Sequence, residues 1–135
     1  VFSQIDKVIA AAEKDIMVAE KLLLIDEGHA YETAYTAMLH AARAFMFSKG
    51  YRPTAHFQHK TVVDFAFHYL DEKYKTLVDH FDRMRKARNN LIYEPWKTNI
   101  TLTDAENALK TARDFIMIIK TTIRKQNPQE HFKFL

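Results

Sequence analysis

Apolar residues recur along this chain at three- and four-residue spacing, the mark of helices that each bury one face. From Phe2 to about Asp26 the stripe is Ile5, Val8, Ile9, Ala12, Ile16, Ala19 and Leu23, with Lys7, Glu13, Lys14 and Glu20 on other faces. Glu27-Gly28 reads as a stop, since glycine suits the turn after a helix C-terminus. A second helix is predicted from about Ala30 to Lys49, its stripe made of small residues (Ala30, Ala34, Ala37, Ala41) flanked by Met38, Ala42 and Phe45. Side chains that small let a neighbouring helix approach closely, so a tight crossing is expected there. Gly50 ends this helix, and Tyr51 to Thr54 reads as a loop.

A shorter helix is predicted from about Phe57 to Leu70, carrying Val62, Phe65, Ala66 and Tyr69. A fourth, from about Lys73 to Tyr93, carries Leu77, Val78, Phe81, Met84 and Leu91, and stops where Pro95 disfavours helical geometry at Glu94. Thr103 to Glu106 has the spacing of a capping box and opens a fifth helix through Ala105, Ala108, Leu109, Ala112, Ile116, Ile119 and Ile123. The tail is expected to fray from about Lys125, although Phe132, Phe134 and Leu135 offer apolar groups for docking. Phe45, Phe47, Phe65, Phe67 and Phe81 sit at helical spacing and are assigned to the core. No strand, repeat or low-complexity run interrupts this pattern. The expected fold is an all-α, up-and-down bundle of about five helices, one domain over residues 1–135.

Composition sharpens that picture. Only 2 Gly and 3 Pro leave the helices uninterrupted, and 10 Phe with 6 Tyr supply a dense core for a chain of modest size. The absence of Cys removes disulfides, thiol nucleophiles and thiolate-bound zinc together, and is compatible with a cytoplasmic location. The most apolar run, Phe115 to Ile119, is far too short to span a bilayer, and no signal-peptide pattern is visible. A net charge of +3 and a pI near 9.1 tolerate an RNA or phosphate partner without requiring one.

Candidate chemistry concentrates between Arg83 and Trp96. Arg83, Arg85, Lys86 and Arg88 crowd the end of the fourth helix. The helix dipole favours cations there by about 0.3–1 kcal/mol each, which accounts for Arg83 and Lys86 as solvated charges. Arg88 is different, because it shares a face with Phe81, Met84 and Leu91 and so points toward the core edge or another subunit. A guanidinium in that place needs an acceptor, either a carboxylate of the fold or a phosphate. Asp79, Asp82 and Glu94 are the nearby carboxylates, read as ion-pair partners. Arg88 and Tyr93 lie about 140° apart on an ideal helix, so they converge only if the last turn unwinds or a second chain contributes one of them. His56 and His59, with His68 or Asp64, are too loosely spaced to fix a metal site. No metal and no cofactor is expected, and no nucleophilic triad or phosphate loop is present.

These residues resemble the HEPN domain family, helical bundles whose signature is an Arg, often followed by a polar residue, with His four to six positions on. Here Arg88-Asn89 is followed by Tyr93. The resemblance extends through AYTAMLHAARAF (Ala34 to Phe45), KGYRP (Lys49 to Pro53) and HKTVV (His59 to Val63), and covers about Ala30 to Trp96. It implies a homodimer that gathers two motifs in one cleft, and metal-independent ribonuclease chemistry in toxin or defence systems, often with a small nucleotidyltransferase as partner. By the same resemblance Arg88 would hold the scissile phosphate, Asn89 would orient it and position 93 would handle the proton of the ribose hydroxyl. Arg85, and His40 and Arg43 of the second helix, are the candidate substrate-binding residues beside them.

The departure at position 93 changes the chemistry. Histidine titrates near pH 6.5 and tyrosine near pH 10, so an ordinary tyrosine is a poor general base at neutral pH. It can still donate a hydrogen bond to phosphate or stack on a base. Two readings therefore stand: an RNA-associated protein with endoribonuclease activity, or a catalytically inactive helical module that binds a nucleotidyltransferase or nucleotide partner.

Overall fold

The computed structural model describes residues 2–52 and 58–134. Five long helices occur among them: α1 (Phe2–Leu22), α2 (Glu27–Ser48), α3 (His59–Tyr69), α4 (Lys75–Tyr93) and α5 (Leu102–Gln126). Short 3-10 turns at Glu72–Tyr74 and Pro95–Lys97 precede and follow α4. There is no strand among the described residues, and the architecture is an all-α bundle. No helix among them is long and apolar enough to cross a membrane.

The small-residue stripe makes α2 the axis of the bundle. Ala34, Ala37, Ala41 and Ala44 are fully buried, and α2 packs against α1, α3, α4 and α5. Larger groups fill the remaining space: Tyr35, Met38, Phe45 and Met46 from α2, Ile5 and Ile9 from α1, Val62 and Val63 from α3, Phe81 from α4, and Phe115, Ile119 and Ile123 from α5. Burying an aliphatic or aromatic side chain of that size contributes about 1.5–3 kcal/mol. Phe47, Phe65 and Phe67 pack against this core from its edge.

The helix ends follow capping chemistry more closely than the apolar stripe does. Asp26 does not close α1; it opens α2, its Oδ2 accepting the His29 amide at 2.8 Å. Gly28 therefore lies inside the first turn of α2 and is not a stop. A Cβ there would come within 3.2 Å of Asp26 Oδ2, so the capping carboxylate would have to give by a few tenths of an ångström. The true glycine terminator is Gly50 at φ 85°, where the amides of Gly50 and Tyr51 reach back to the carbonyls of Phe47 and Met46, each at 3.0 Å.

At α5 the capping box sits two residues earlier than Thr103 to Glu106. Thr101 Oγ1 accepts the Asp104 amide at 3.1 Å, and Asp104 Oδ2 accepts the Thr101 amide at 3.0 Å. Here an aspartate completes the reciprocal pair in the place where glutamate or glutamine is usual. Beyond Gln126 the chain folds back, in place of the fraying expected from about Lys125. Phe132 stacks edge-on with Phe2 at 5.7 Å, the buried Phe134 carbonyl accepts from Arg124, and the Lys133 amide donates to Asp6 at 2.9 Å.

Candidate functional site

Three helices bring one cluster together. On α2, Tyr35 and Arg43 are eight residues apart, roughly 80° around the helix, and the charge of Arg43 is felt at both Tyr35 and His59 of α3. On α4, Arg85 and Arg88 are neighbours at three-residue spacing. His59 is the first residue of α3.

Tyr35 is completely buried, and a buried phenol needs a partner for its hydroxyl. That partner is His59, whose Nδ1 lies 3.0 Å from the Tyr35 oxygen. The two rings are 5.6 Å apart, and Phe81 backs Tyr35 at the same centroid distance, itself resting on Phe115 at 5.0 Å. This aromatic chain runs from the cluster into the middle of the core.

The electrostatics are lopsided. Around Tyr35 lie three guanidiniums and one carboxylate, Asp82, which accepts from Arg85 Nε at 3.0 Å and Nη2 at 2.9 Å and from Lys86 at 3.4 Å. Burial works against the Asp82 carboxylate, but the hydrogen bond and charge of Arg85, with Lys86, prevail and hold its pKa below the ordinary value. Arg43 and Arg88 have no ion-pair partner among the described residues, and the Nε of each is buried without a hydrogen-bond acceptor. Arg88 makes one long contact, from Nη1 to Asn89 Oδ1 at 3.5 Å.

Burial and this excess of positive charge act on two groups, in opposite senses at Tyr35 and in the same sense at His59. Burial pushes the Tyr35 phenol up to about 12, against the opposing pull of Arg88, Arg85 and Arg43. Burial also depresses the His59 imidazole, and there the same arginines add to the effect by repelling a further positive charge. At neutral pH the cluster is a protonated tyrosine, a neutral histidine and three guanidiniums, with the Asp82 carboxylate paired to Arg85. It is suited to receive an anion: guanidiniums bind phosphate oxygens in pairs, and a partly dry setting strengthens each contact.

The residues singled out from the sequence are distributed unevenly. Arg43, Arg85, Arg88 and Asn89 belong to this region. His40 does not: its Nδ1 pairs with Asp15 Oδ2 of α1 at 2.6 Å, because five residues from Tyr35 turn it onto another face of α2. Tyr93 also stands apart. The last turn of α4 does not unwind, since the Glu94 amide still reaches the Asn90 carbonyl at 2.8 Å. Five regular residues separate Arg88 from Tyr93 by about 7.5 Å along the axis and about 140° around it. Tyr93 is 74% exposed, beside the exposed Ile92 and the 76% exposed Trp96. Arg83 is exposed, and Glu94 pairs with Lys97 at 3.2 Å.

Sequence reasoning passed over Tyr35 and considered His59 only as a metal ligand. The usable signal at Tyr35 is a hydroxyl within a stripe that is otherwise apolar; its partner on another helix leaves no periodic trace. His56, the other half of the histidine pair, lies outside the described residues. Among the described ones, no three His, Asp or Glu side chains gather as a metal-ligand set.

Compared with known proteins, residues 5–122 match the family model described as HEPN domain. No curated protein matches the chain.

Proposed function

The chain belongs to the HEPN domain family, and on that premise we propose that it is an RNA-associated protein whose Arg43, Arg85 and Arg88 hold backbone phosphate. The observation that carries this reading is the pair of guanidiniums, Arg43 and Arg88, that have no ion-pair partner among the described residues, each with a buried Nε that has no acceptor among them. A fold tolerates such a group at a penalty of about 1–3 kcal/mol, and a site for an anion is the functional reason to retain it. In this reading the protein is a homodimer. Arg88 grips the phosphate, Asn89 steadies the guanidinium and the bound group, and Tyr93 enters the cleft from the second copy, since regular helix geometry keeps it from Arg88 of its own chain. The activity is metal-independent RNA cleavage in a toxin or defence setting.

A second reading has its own support. Ile92, Tyr93 and Trp96 form an exposed apolar rim at the end of α4, a surface on which a nucleotidyltransferase or other protein partner would dock a catalytically inactive module. The two are separated by incubating the protein with a mixed-sequence fluorogenic RNA in the presence of chelator, beside Arg88→Ala. Cleavage that depends on Arg88 supports the ribonuclease. No cleavage by either protein, both folded, supports the inactive module and turns attention to its partner.

A further inference from the structure

We propose that His59, held by Tyr35 at the mouth of the arginine cluster, is a fourth ligand to the bound phosphodiester and takes up a proton when that group binds. The inference rests on the phosphate reading of Arg43, Arg85 and Arg88 and adds to it a residue outside the Arg88–Tyr93 segment.

Geometry places His59 firmly. Val62, Val63 and Ala66 anchor α3 in the core with no exposed surface, so its first residue is set by packing. The imidazole is then fixed by the 3.0 Å contact of Nδ1 with the Tyr35 hydroxyl and by the tilted packing of the two rings. Tyr35 is itself clamped by Phe81. With Nδ1 engaged, Nε2 is the nitrogen through which the ring meets a ligand.

Among the described residues, the charged and titratable groups facing His59 come from α2, α4 and its own helix. From α2 these are Tyr35 and Arg43, and from α4 they are Arg85 and Arg88, with Asp82 close to Tyr35 but bound to Arg85 and Lys86. On its own helix Lys60 is exposed and paired with Asp64 at 3.1 Å. The tyrosine stays protonated and the arginines stay charged, so His59 is the member of this cluster that changes charge near neutrality. In the empty site an imidazolium would add a fourth cation to three. A phosphodiester placed among the arginines reverses the local sign and offers the imidazolium an acceptor, so binding and protonation reinforce each other. A histidine here also supplies a group suited to proton transfer near neutral pH.

The test is a proton-detected titration of the histidine rings of the full chain from pH 5 to 8. It is run alone and saturated with a 2′-O-methyl RNA hexamer that has hydroxyls at both ends, so that the probe neither titrates nor is cleaved. The expected result is a His59 midpoint that rises by about one pH unit or more on saturation. Hexamer affinity should be correspondingly about tenfold higher well below that range than well above it. His59→Gln should keep Arg88-dependent binding but lose the pH dependence, and Tyr35→Phe should shrink the rise in midpoint. Arg88-dependent binding with an unmoved His59 midpoint would overturn the inference and leave the phosphate reading standing. No hexamer binding by the wild type would bring down both. The wild-type titration decides the matter by itself if a variant does not fold.

Discussion

The Tyr35 hydroxyl and His59 Nδ1 meet at 3.0 Å across 24 positions of sequence, tying the first residue of α3 to the middle of α2. Removing that hydroxyl leaves the ring packing intact and deletes one partly buried hydrogen bond. Tyr35→Phe should therefore lower the unfolding free energy by about 0.5–1.5 kcal/mol, read as a lower urea midpoint at unchanged slope. The same phenol gives an alkaline signature. Its pKa is raised to about 12 in the fold, so its contribution to stability is complete below its unfolded value near 10 and is lost as pH rises from there through about 12. In an ultraviolet titration Tyr35→Phe should remove the ionisation step at about 12.

His59 sets the acid side. Its folded pKa lies below the ordinary 6.5, so the unfolded chain binds the proton more readily. The stability it contributes is present above pH 6.5 and is lost as pH falls through the depressed folded value. Thermal melts at pH 7.5 and pH 5 should show a larger drop for the wild type than for His59→Gln. Equal drops would mean that the imidazole is not held neutral by its surroundings.

The start of α5 provides a sharp test of the fold. Thr101 and Thr103 look alike in sequence, but only Thr101 accepts from an N3 amide. Thr101→Ala should destabilise the protein by about 1 kcal/mol, whereas Thr103→Ala should stay within about 0.5 kcal/mol, compared by urea denaturation.

That contrast shows what the sequence carries and what it does not. One-sided burial repeats every three to four residues, so the stripes on α2, α4 and α5 are legible without coordinates. The choice between Thr101 and Thr103, or between Asp26 as an end and Asp26 as a cap, is a contest between near-equivalent side-chain oxygens and is decided by a fraction of a turn. The site divides in the same way. Arg88 is legible because its spacing from Phe81, Met84 and Leu91 puts a cation at the core edge. The Tyr35–His59 contact is not, because it joins two helices whose relative placement no periodicity encodes. The pattern leaves Tyr93 in an either-or: an unwound last turn or a second chain. The regular final turn of α4 answers the first half.

The second half is open to measurement through the single tryptophan. Trp96 is exposed next to Ile92 and Tyr93, and a second copy seated on that rim would cover it. On the proposed dimer, tryptophan emission should shift to shorter wavelength as concentration rises, in step with a doubling of mass by sedimentation. Ile92→Glu should abolish both changes without altering the melting of the monomer, since surface substitutions usually change stability by no more than about 0.5 kcal/mol.

The most direct test of the arginine site is fluorescence anisotropy with a labelled single-stranded RNA over a series of salt concentrations, for the wild type, Arg43→Ala and Arg88→Ala. Hydrogen bonds to a charged group contribute about 1.5–3 kcal/mol, so each substitution should weaken binding by about ten- to a hundredfold. Each should also make the salt dependence shallower by about one phosphate contact, with the helical spectrum unchanged. Binding by folded Arg43→Ala and Arg88→Ala that matches the wild type in affinity and salt slope would contradict the claim that this cluster holds the RNA backbone.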